Sequence, residues 1–443
     1  MSQPPKSNQI ISQFFSRAIS LVVTFILNTF VVRHLGASDI GLIAFANAFV
    51  FLTAPLFALG TRESSDIAIQ GSDNPAEILQ VALLIQISGS IVQASLIIMI
   101  LVLIQPSDIN TMAALFITSI LSNLFGFNQT LGALMLKQGK GNNLAVSDLI
   151  TTLISIVLTC TALATSANII IFAFLTTITA FTQLVIRLWQ VGNFSKQYGF
   201  RLTTSIQRKA LQRRARELIC FSKPFLISSL AITIYMRSDQ IMLELIIDSN
   251  AVGVYSIGMR LLETSYFIPM LLSKNYLTKV SNELGSKKQN YLESFYRLMW
   301  VTGTGLTLLY LTIMPMVVVP LYGEEFSAGS TYIKLMAPSL FAVSIGLSTN
   351  VWLNASGKTS ISAERTLIAA ALNIILNFAL IPSFSGVGAA AATTISQFVS
   401  CFAVALWREE IRENILLALF PFKPLIKKCD FKTAYLFKVR DKK

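Results

Sequence analysis

Apolar residues in this chain arrive in runs of about twenty, divided by short polar stretches. A bilayer core of about 30 Å is crossed by roughly 20 residues of helix. The spacing therefore predicts an all-α polytopic membrane protein. Composition agrees, with 53% hydrophobic and only 13% charged residues, where soluble proteins carry about 25% charge. A soluble chain of 443 residues could form two or three domains, but it could not hide this much apolar surface. A secreted disulfide scaffold, a disordered chain and a typical soluble enzyme are excluded. In lipid every backbone polar group needs an internal partner. With nothing in the pattern suited to a closed barrel, helices remain.

Twelve spans are expected, at 14–33, 40–60, 78–104, 111–136, 144–163, 168–190, 218–246, 251–272, 295–320, 330–353, 361–381 and 387–407. The formal net charge of +13 would suggest nucleic acid in a soluble protein. Here it is read as topology, with no nucleic-acid partner, because basic residues stay on the cytoplasmic side. With a cytoplasmic N-terminus and strict alternation, inner segments hold 31 of the 35 Lys and Arg residues. Only Arg33, Arg237, Arg260 and Lys334 lie elsewhere. Both termini are expected inside. The inner loop 61–77 dissents, holding Arg62 among Glu63, Asp66, Asp73 and Glu77, but acidic residues weigh little in this rule.

Several chemistries are absent from the sequence. Cys160, Cys220, Cys401 and Cys429 have neither metal-knuckle nor disulfide spacing. His34 is the lone histidine, which argues against a histidine-built metal site or a catalytic triad. No metal or cofactor is expected. The fragment NASGKTS at 354–360 lacks the earlier glycine of a phosphate-binding loop. The first apolar run has no cleavage site after it and reads as an uncleaved helix.

The longest inner connection falls after the sixth span and carries IQRKALQRRARE. It reads as a basic amphipathic helix on the membrane face or as a solvated linker. The expected plan is a first six-helix bundle at 1–190, a basic cytoplasmic linker at 191–217, a second bundle at 218–407 and a basic cytoplasmic tail at 408–443. An internal echo supports two halves around a central cavity: LGASDIGLIAF at 35–45 and IIDSNAVGVYSI at 246–257 place Gly41 and Gly253 in corresponding positions.

Charge at membrane depth is costly and faces protein or water. Arg237, Asp239 and Glu244 fall in the seventh span, Arg260 and Glu263 in the eighth. Arg237 and Glu244, seven apart, share a helix face; Arg260 and Glu263, three apart, can pair directly. They line a cavity for an anionic head group or form buried pairs that orient the second bundle. Arg33 meets phosphate at a cavity mouth or snorkels. Asp148 is a proton or cation site, or a cap of the fifth helix after Ser147. Asn123, Asn128 and Gln129 in the fourth span, and Asn373 and Asn377 in the eleventh, bond neighbouring helices or contact sugars. Pro55, Pro269, Pro315 and Pro338 mark bends.

Longer motifs add a family likeness. FVVRHLGASDIG at 30–41 is followed by RSDQIMLELI at 237–246 and VGVYSIGMRLLE at 252–263. PLYGEEF at 320–326, VWLNASGKT at 351–359 and NIILNFALIPSFSGVGAAAATTIS at 373–396 come later. The chain resembles the bacterial polysaccharide transporter family, the O-antigen and related flippases of the multidrug/oligosaccharidyl-lipid/polysaccharide exporter superfamily. The resemblance implies two bundles around a central cavity and transfer of undecaprenyl-diphosphate-linked repeat units across the plasma (inner) membrane. It implies no catalysis. By resemblance Asp239 and Gln240 match the family's seventh-helix pair, and Arg260 and Glu263 its charged eighth-helix positions. Proton or sodium coupling would fall to Asp148, Asp239, Glu244 or Glu263. Membrane lipids, a polysaccharide polymerase and a chain-length regulator are the implied partners. The competing readings are a multidrug exporter of the same superfamily, a membrane glycosyltransferase or ligase, and a non-transporting scaffold of polysaccharide assembly.

Overall fold

The computed structural model describes residues 7–72, 74–104, 109–124, 128–198, 208–282 and 285–422. The described residues contain helices and turns but no strand. The first half comprises α1 (Ser7–Ala58), α2 (Thr61–Gly71), α3 (Pro75–Ile104), α4 (Ile109–Leu124), α5 (Asn128–Lys137), α6 (Gly141–Ala164) and α7 (Ile169–Tyr198). The second half comprises α8 (Arg208–Ile246), α9 (Ser249–Ser265), α10 (Phe267–Asn282), α11 (Gly285–Thr312), α12 (Met314–Tyr322), α13 (Ala328–Ala355), α14 (Thr359–Phe402) and α15 (Glu409–Leu419).

Among the described residues eight helices are long and apolar enough to cross a membrane, or nine if the bent pair α11–α12 counts as one span. Two of the eight hold two expected spans each. Helix α1 turns at Gly36, whose φ of 79° and ψ of 176° lie outside the helical region. Glycine tolerates this backbone because it has no Cβ. Helix α14 turns at Ser385, with φ 48° and ψ −130°, three residues after Pro382. Helices α9 and α10, broken at Tyr266 before Pro269, cover the remaining expected span. With those two helices divided and the broken pair included, the expected twelve are accounted for. Helices α11 and α12 meet at 53°, where Pro315 stands at the start of α12. A proline cannot donate its backbone N–H, so the bend falls where the helix bond is already missing.

The perimeter is apolar and uncovered. Leu103, Trp189, Leu245, Met316 and Leu406 each expose two thirds or more of their surface. In water such a girdle would drive aggregation; against acyl chains it is the solvated face. The expected amphipathic linker is helical from Arg208, where it extends α8, while 199–207 lie outside the described residues. The stretch expected as a tail from 408 begins with α15, which buries Ile411, Ile415 and Ala418; residues 423–443 lie outside the described residues.

Helices α1–α7 pack among themselves, as do α8–α14, and the two groups meet mainly where α1 lies against α8 and α9. That meeting line is closest at the two glycines of the sequence echo. A Cβ on Gly41 would stand 1.7 Å from the Ser249 carbonyl oxygen, and one on Gly253 would stand 1.8 Å from the Ala37 carbonyl oxygen. The contact is reciprocal: Gly41 rests on the start of α9 and Gly253 on the start of the α1 segment that follows Gly36, each four residues before its partner glycine. Beside it Glu325 accepts a hydrogen bond from the Ala37 N–H at 3.3 Å. Arg33 donates to the Pro320 carbonyl at 3.4 Å.

Gly41→Ala or Gly253→Ala must therefore push α1 and α9 apart. Spin labels on cysteines at the exposed residues Ser38 and Asn250 should report a longer, broader distance in either variant. An unchanged distribution would show that the seam gives way locally.

Candidate functional site

Beside this seam, between the two halves, lies a cavity of about 490 Å³. Its α1 wall offers Asn47 and Phe51, and α4 and α5 offer Ser119, Ser122, Asn123 and Gln129. Opposite stand Arg237 and Gln240 of α8, with Ser256, Met259, Arg260 and Glu263 of α9; Arg62, at the start of α2, completes the lining. Three guanidinium groups thus share the space with one carboxylate. Residues 256, 259, 260 and 263 recur at helical spacing, so one face of α9 supplies a whole wall.

Arg237 lies over the Phe51 ring, 5.5 Å from its centroid, an attraction between cation and ring face. Its guanidinium reaches Glu263 at 3.3 Å. The two pairings anticipated from spacing do not form. Glu263 joins Arg237 rather than Arg260, and Glu244 accepts from the Ser249 hydroxyl at 2.7 Å, away from the cavity. Arg260 has no ion pair among the described residues and is exposed. Since it lines the cavity, that exposure is toward the cavity.

Arg62 was read from sequence only as a topological charge. In the structure it reaches the cavity by clasping α4, donating to the Asn123 side-chain oxygen at 2.6 Å and to the Asn123 carbonyl. A helix end leaves carbonyls without partners, and Arg62 satisfies one at the end of α4. Arg187 donates to the carbonyl of Asn128, the first residue of α5, at 2.6 Å. It also pairs with Asp148 at 2.8 Å. Asp148 does not cap its helix as anticipated: α6 begins at Gly141, seven residues earlier. It serves instead as the counter-ion of Arg187, outside the cavity lining.

Asp239 is fully buried behind the cavity wall. Tyr255 donates its hydroxyl to one carboxylate oxygen, and Thr393 donates to the same oxygen at 3.4 Å. The Gln240 N–H bonds the other at 2.8 Å. Asn373 and Asn377 do not line the cavity. They are fully buried, with Asn377 donating to Asn373 at 3.0 Å and Ser238 donating to the same oxygen at 2.9 Å. One nitrogen of Asn373 and the oxygen of Asn377 have no partner. Arg33 lies at the seam and His34 bonds the Ala167 carbonyl at 3.1 Å; neither lines the cavity.

Next to Arg62, Asp66 accepts from Gln129 at 3.4 Å, and its other oxygen is buried without a partner. Burial pushes this carboxyl, on the short helix α2, up to about 6. The folded state disfavours its ionised form, so stability falls as pH rises from 3.8 through about 6. Asp66→Asn should raise the thermal midpoint at about pH 7.5 and leave it unchanged near about pH 4. A gain of equal size at both would assign the effect to packing. Asp148→Ala strands Arg187 in a buried place and should cost about 3–5 kcal/mol of stability. Chemical unfolding in detergent would read the loss, and the double variant Asp148→Leu with Arg187→Met should recover most of it.

Comparison with known proteins agrees with this architecture. Residues 8–272 match the family model described as "Polysaccharide biosynthesis protein", and residues 224–379 match the MatE model. A probable low-salt glycan biosynthesis flippase of Haloferax volcanii is 25% identical over 206 residues, which are 44% of this chain and 42% of that protein. The chain thus matches less than half the length of that relative. The capsular polysaccharide biosynthesis protein CapF of Staphylococcus aureus is 22% identical, over 87% of this chain and 95% of its own. Among solved structures, an inward-facing multidrug resistance MATE family transporter of the MOP superfamily superposes with a TM-score of 0.68 at 15% identity, covering 90% of this chain and 95% of that one. The lipid II flippase MurJ, in an inward closed conformation, superposes with 0.67 at 14% identity, covering 93% and 90%. At these identities the structures establish the fold, a multi-pass helical membrane architecture. The first family model spans more than half the chain, and the chain is a member of the polysaccharide biosynthesis protein family.

Proposed function

We propose that the chain is a flippase carrying undecaprenyl-diphosphate-linked oligosaccharide repeats, of O-antigen or a similar surface polysaccharide, from the inner to the outer leaflet of the bacterial plasma membrane. The observation that carries this reading is the cavity lining: Arg62, Arg237 and Arg260 against the single carboxylate of Glu263. Arginine places paired donors on phosphate oxygens. The amides of Asn47, Asn123, Gln129 and Gln240 offer both donors and acceptors to sugar hydroxyls. The prenyl chain stays in lipid, where the uncovered girdle already lies. No covalent bond changes, so no residue acts as a catalyst.

In this reading the basic residues Lys137, Arg187 and those at the start of α8 face the cytoplasm and keep both termini there. The glycine seam then closes the outer end, and the cavity loads from inside. The moving units are residues 1–190 and 218–407, joined by 191–217 and followed by the basic tail 408–443. A polysaccharide polymerase and a chain-length regulator would take the delivered repeat. Asp239 is the proposed site of proton or sodium coupling. A fully buried carboxylate with hydroxyl and N–H donors but no ion pair is costly as an anion, and the unpartnered amide atoms of Asn373 and Asn377 lie on helix α14 beside it. Arg33, Glu244 and Asp148 have other partners and drop out of the proposed transport path.

The likeness to MATE transporters favours one competing reading, export of small molecules. Cationic drugs would meet three arginines, which the cavity charge opposes. A scaffold that moves nothing would tolerate loss of those arginines.

The test is which leaflet holds the lipid-linked repeat. Deletion should trap it inside, wild type should release it, and Arg260→Ala should restore less than about a tenth of wild-type delivery at equal protein level. Asp239→Asn should fold but lose its response to an imposed ion gradient. Normal outer-leaflet delivery in the deletion strain, with no second transporter, would overturn the flippase reading.

A further inference from the structure

The charge inventory of the cavity contains one member that the proposed cargo does not need. Glu263 is an anion in a place proposed for anions. It projects from α9 one turn after Arg260, and both line the cavity. Its carboxylate reaches across to α8, lying 3.3 Å from one terminal nitrogen of Arg237 and 3.5 Å from the other. This is an end-on, two-nitrogen approach that a phosphate can also make to guanidinium. Both contacts are longer than the 2.7–2.9 Å of a tight charge-assisted bond, and both side chains keep about a quarter of their surface open, at 22% and 24%. The Arg237 plane is held from another side by Phe51, so the guanidinium stays in place when the carboxylate leaves.

We propose that Glu263 is an internal substitute for the cargo's phosphate: it occupies Arg237 in the empty cavity and is displaced, taking up a proton, when a diphosphate binds. The inference rests on the flippase reading and adds a regulation of the same site. The charged and titratable groups facing Glu263 are Arg237 and Asp239 of α8, Arg260 of α9, and the hydroxyls of Tyr255 and Tyr266. Arg62 stands across the cavity. A bound diphosphate would engage Arg237 and Arg260 and so take Arg237 from Glu263. The freed carboxylate would then face two added negative charges and the Asp239 side chain at membrane depth, where an unpaired anion is not held. It takes one proton from water, and no other bond changes. An unoccupied cavity is thereby kept near neutrality on this face, and only an anion able to outcompete a carboxylate for two arginines gains entry.

The experiment uses the full-length protein in detergent with farnesyl-diphosphoryl-N-acetylglucosamine as probe. Each phosphate of this probe carries one ester and shares the anhydride bond, leaving no second ionisation, so its own charge does not change across the neutral range. Wild type should bind more tightly as pH falls from about 8.5 to about 6, by up to about tenfold per pH unit for one proton taken up. Glu263→Gln should bind about tenfold more tightly than wild type at the high end and lose the pH dependence. Glu263→Asp should keep a pH dependence and so report that the variants are folded and comparable. Equal or weaker binding by Glu263→Gln with the wild-type pH dependence retained would overturn the inference and make Glu263 a cargo contact. No binding of the probe by wild type at any pH would instead remove the flippase reading beneath it.

Discussion

Backbone meets backbone where Gly41 lies on the Ser249 carbonyl and Gly253 on that of Ala37. Neither helix could come so near with a Cβ in the way. The close approach draws α1 onto α9 at one end of the line along which the two halves meet. It also sets the register that brings Asn47 and Phe51 opposite Ser256, Arg260 and Glu263. The space left beside it is the cavity. The Ala37 N–H held by Glu325 fastens the same end from the second half, so the seam and the cavity are parts of one arrangement. Opening the seam would require separating surfaces joined by contacts and a few hydrogen bonds rather than by a buried ion pair, a separation that rigid halves can make.

Polar residues at depth divide into three uses in this fold. One group binds backbone carbonyls: Arg62 and Arg187 donate to those of Asn123, near the end of α4, and Asn128, at the start of α5. A second group is sealed within the second half, where Asp239, Tyr255, Thr393, Asn373 and Asn377 satisfy one another incompletely. The third faces the cavity, and there cations outnumber the carboxylate. Arg62 belongs to the first and third at once. A charge is tolerated at depth when hydrogen bonds or water compensate it; Arg62, Arg187 and Asp239 each show such bonds.

The helices were legible because run length alone sets a span, and the echo of Gly41 and Gly253 was legible as a repeated motif. That the two glycines touch was not, since a sequence pattern carries no distance. Gly36 and Ser385 hid inside continuous helices because a single non-helical residue leaves composition unchanged. Side-chain partners were the least legible. Spacing along one helix suggested Arg260 for Glu263, but the rotation of α8 against α9 brought Arg237 nearer. Asp148 looked like a cap because nothing in the sequence marks the earlier start of α6 at Gly141. Arg62 was assigned to a loop because its own neighbours are polar; the clasp on Asn123 comes from a helix about sixty residues away. Long-range partners of this kind depend on helix packing, which hydropathy does not encode.

The central claim is that this chain moves a lipid-linked glycan across a bilayer. Its most direct test is purified protein in liposomes carrying a fluorescent prenyl-diphosphate oligosaccharide in both leaflets, with a membrane-impermeant quencher added outside. Protein-free vesicles should lose about half of the signal. Wild-type vesicles should lose nearly all of it as inner-leaflet lipid arrives outside, at a rate cut by Arg260→Ala. Quenching that stops at the protein-free level, with folded protein present in every vesicle, would contradict the account.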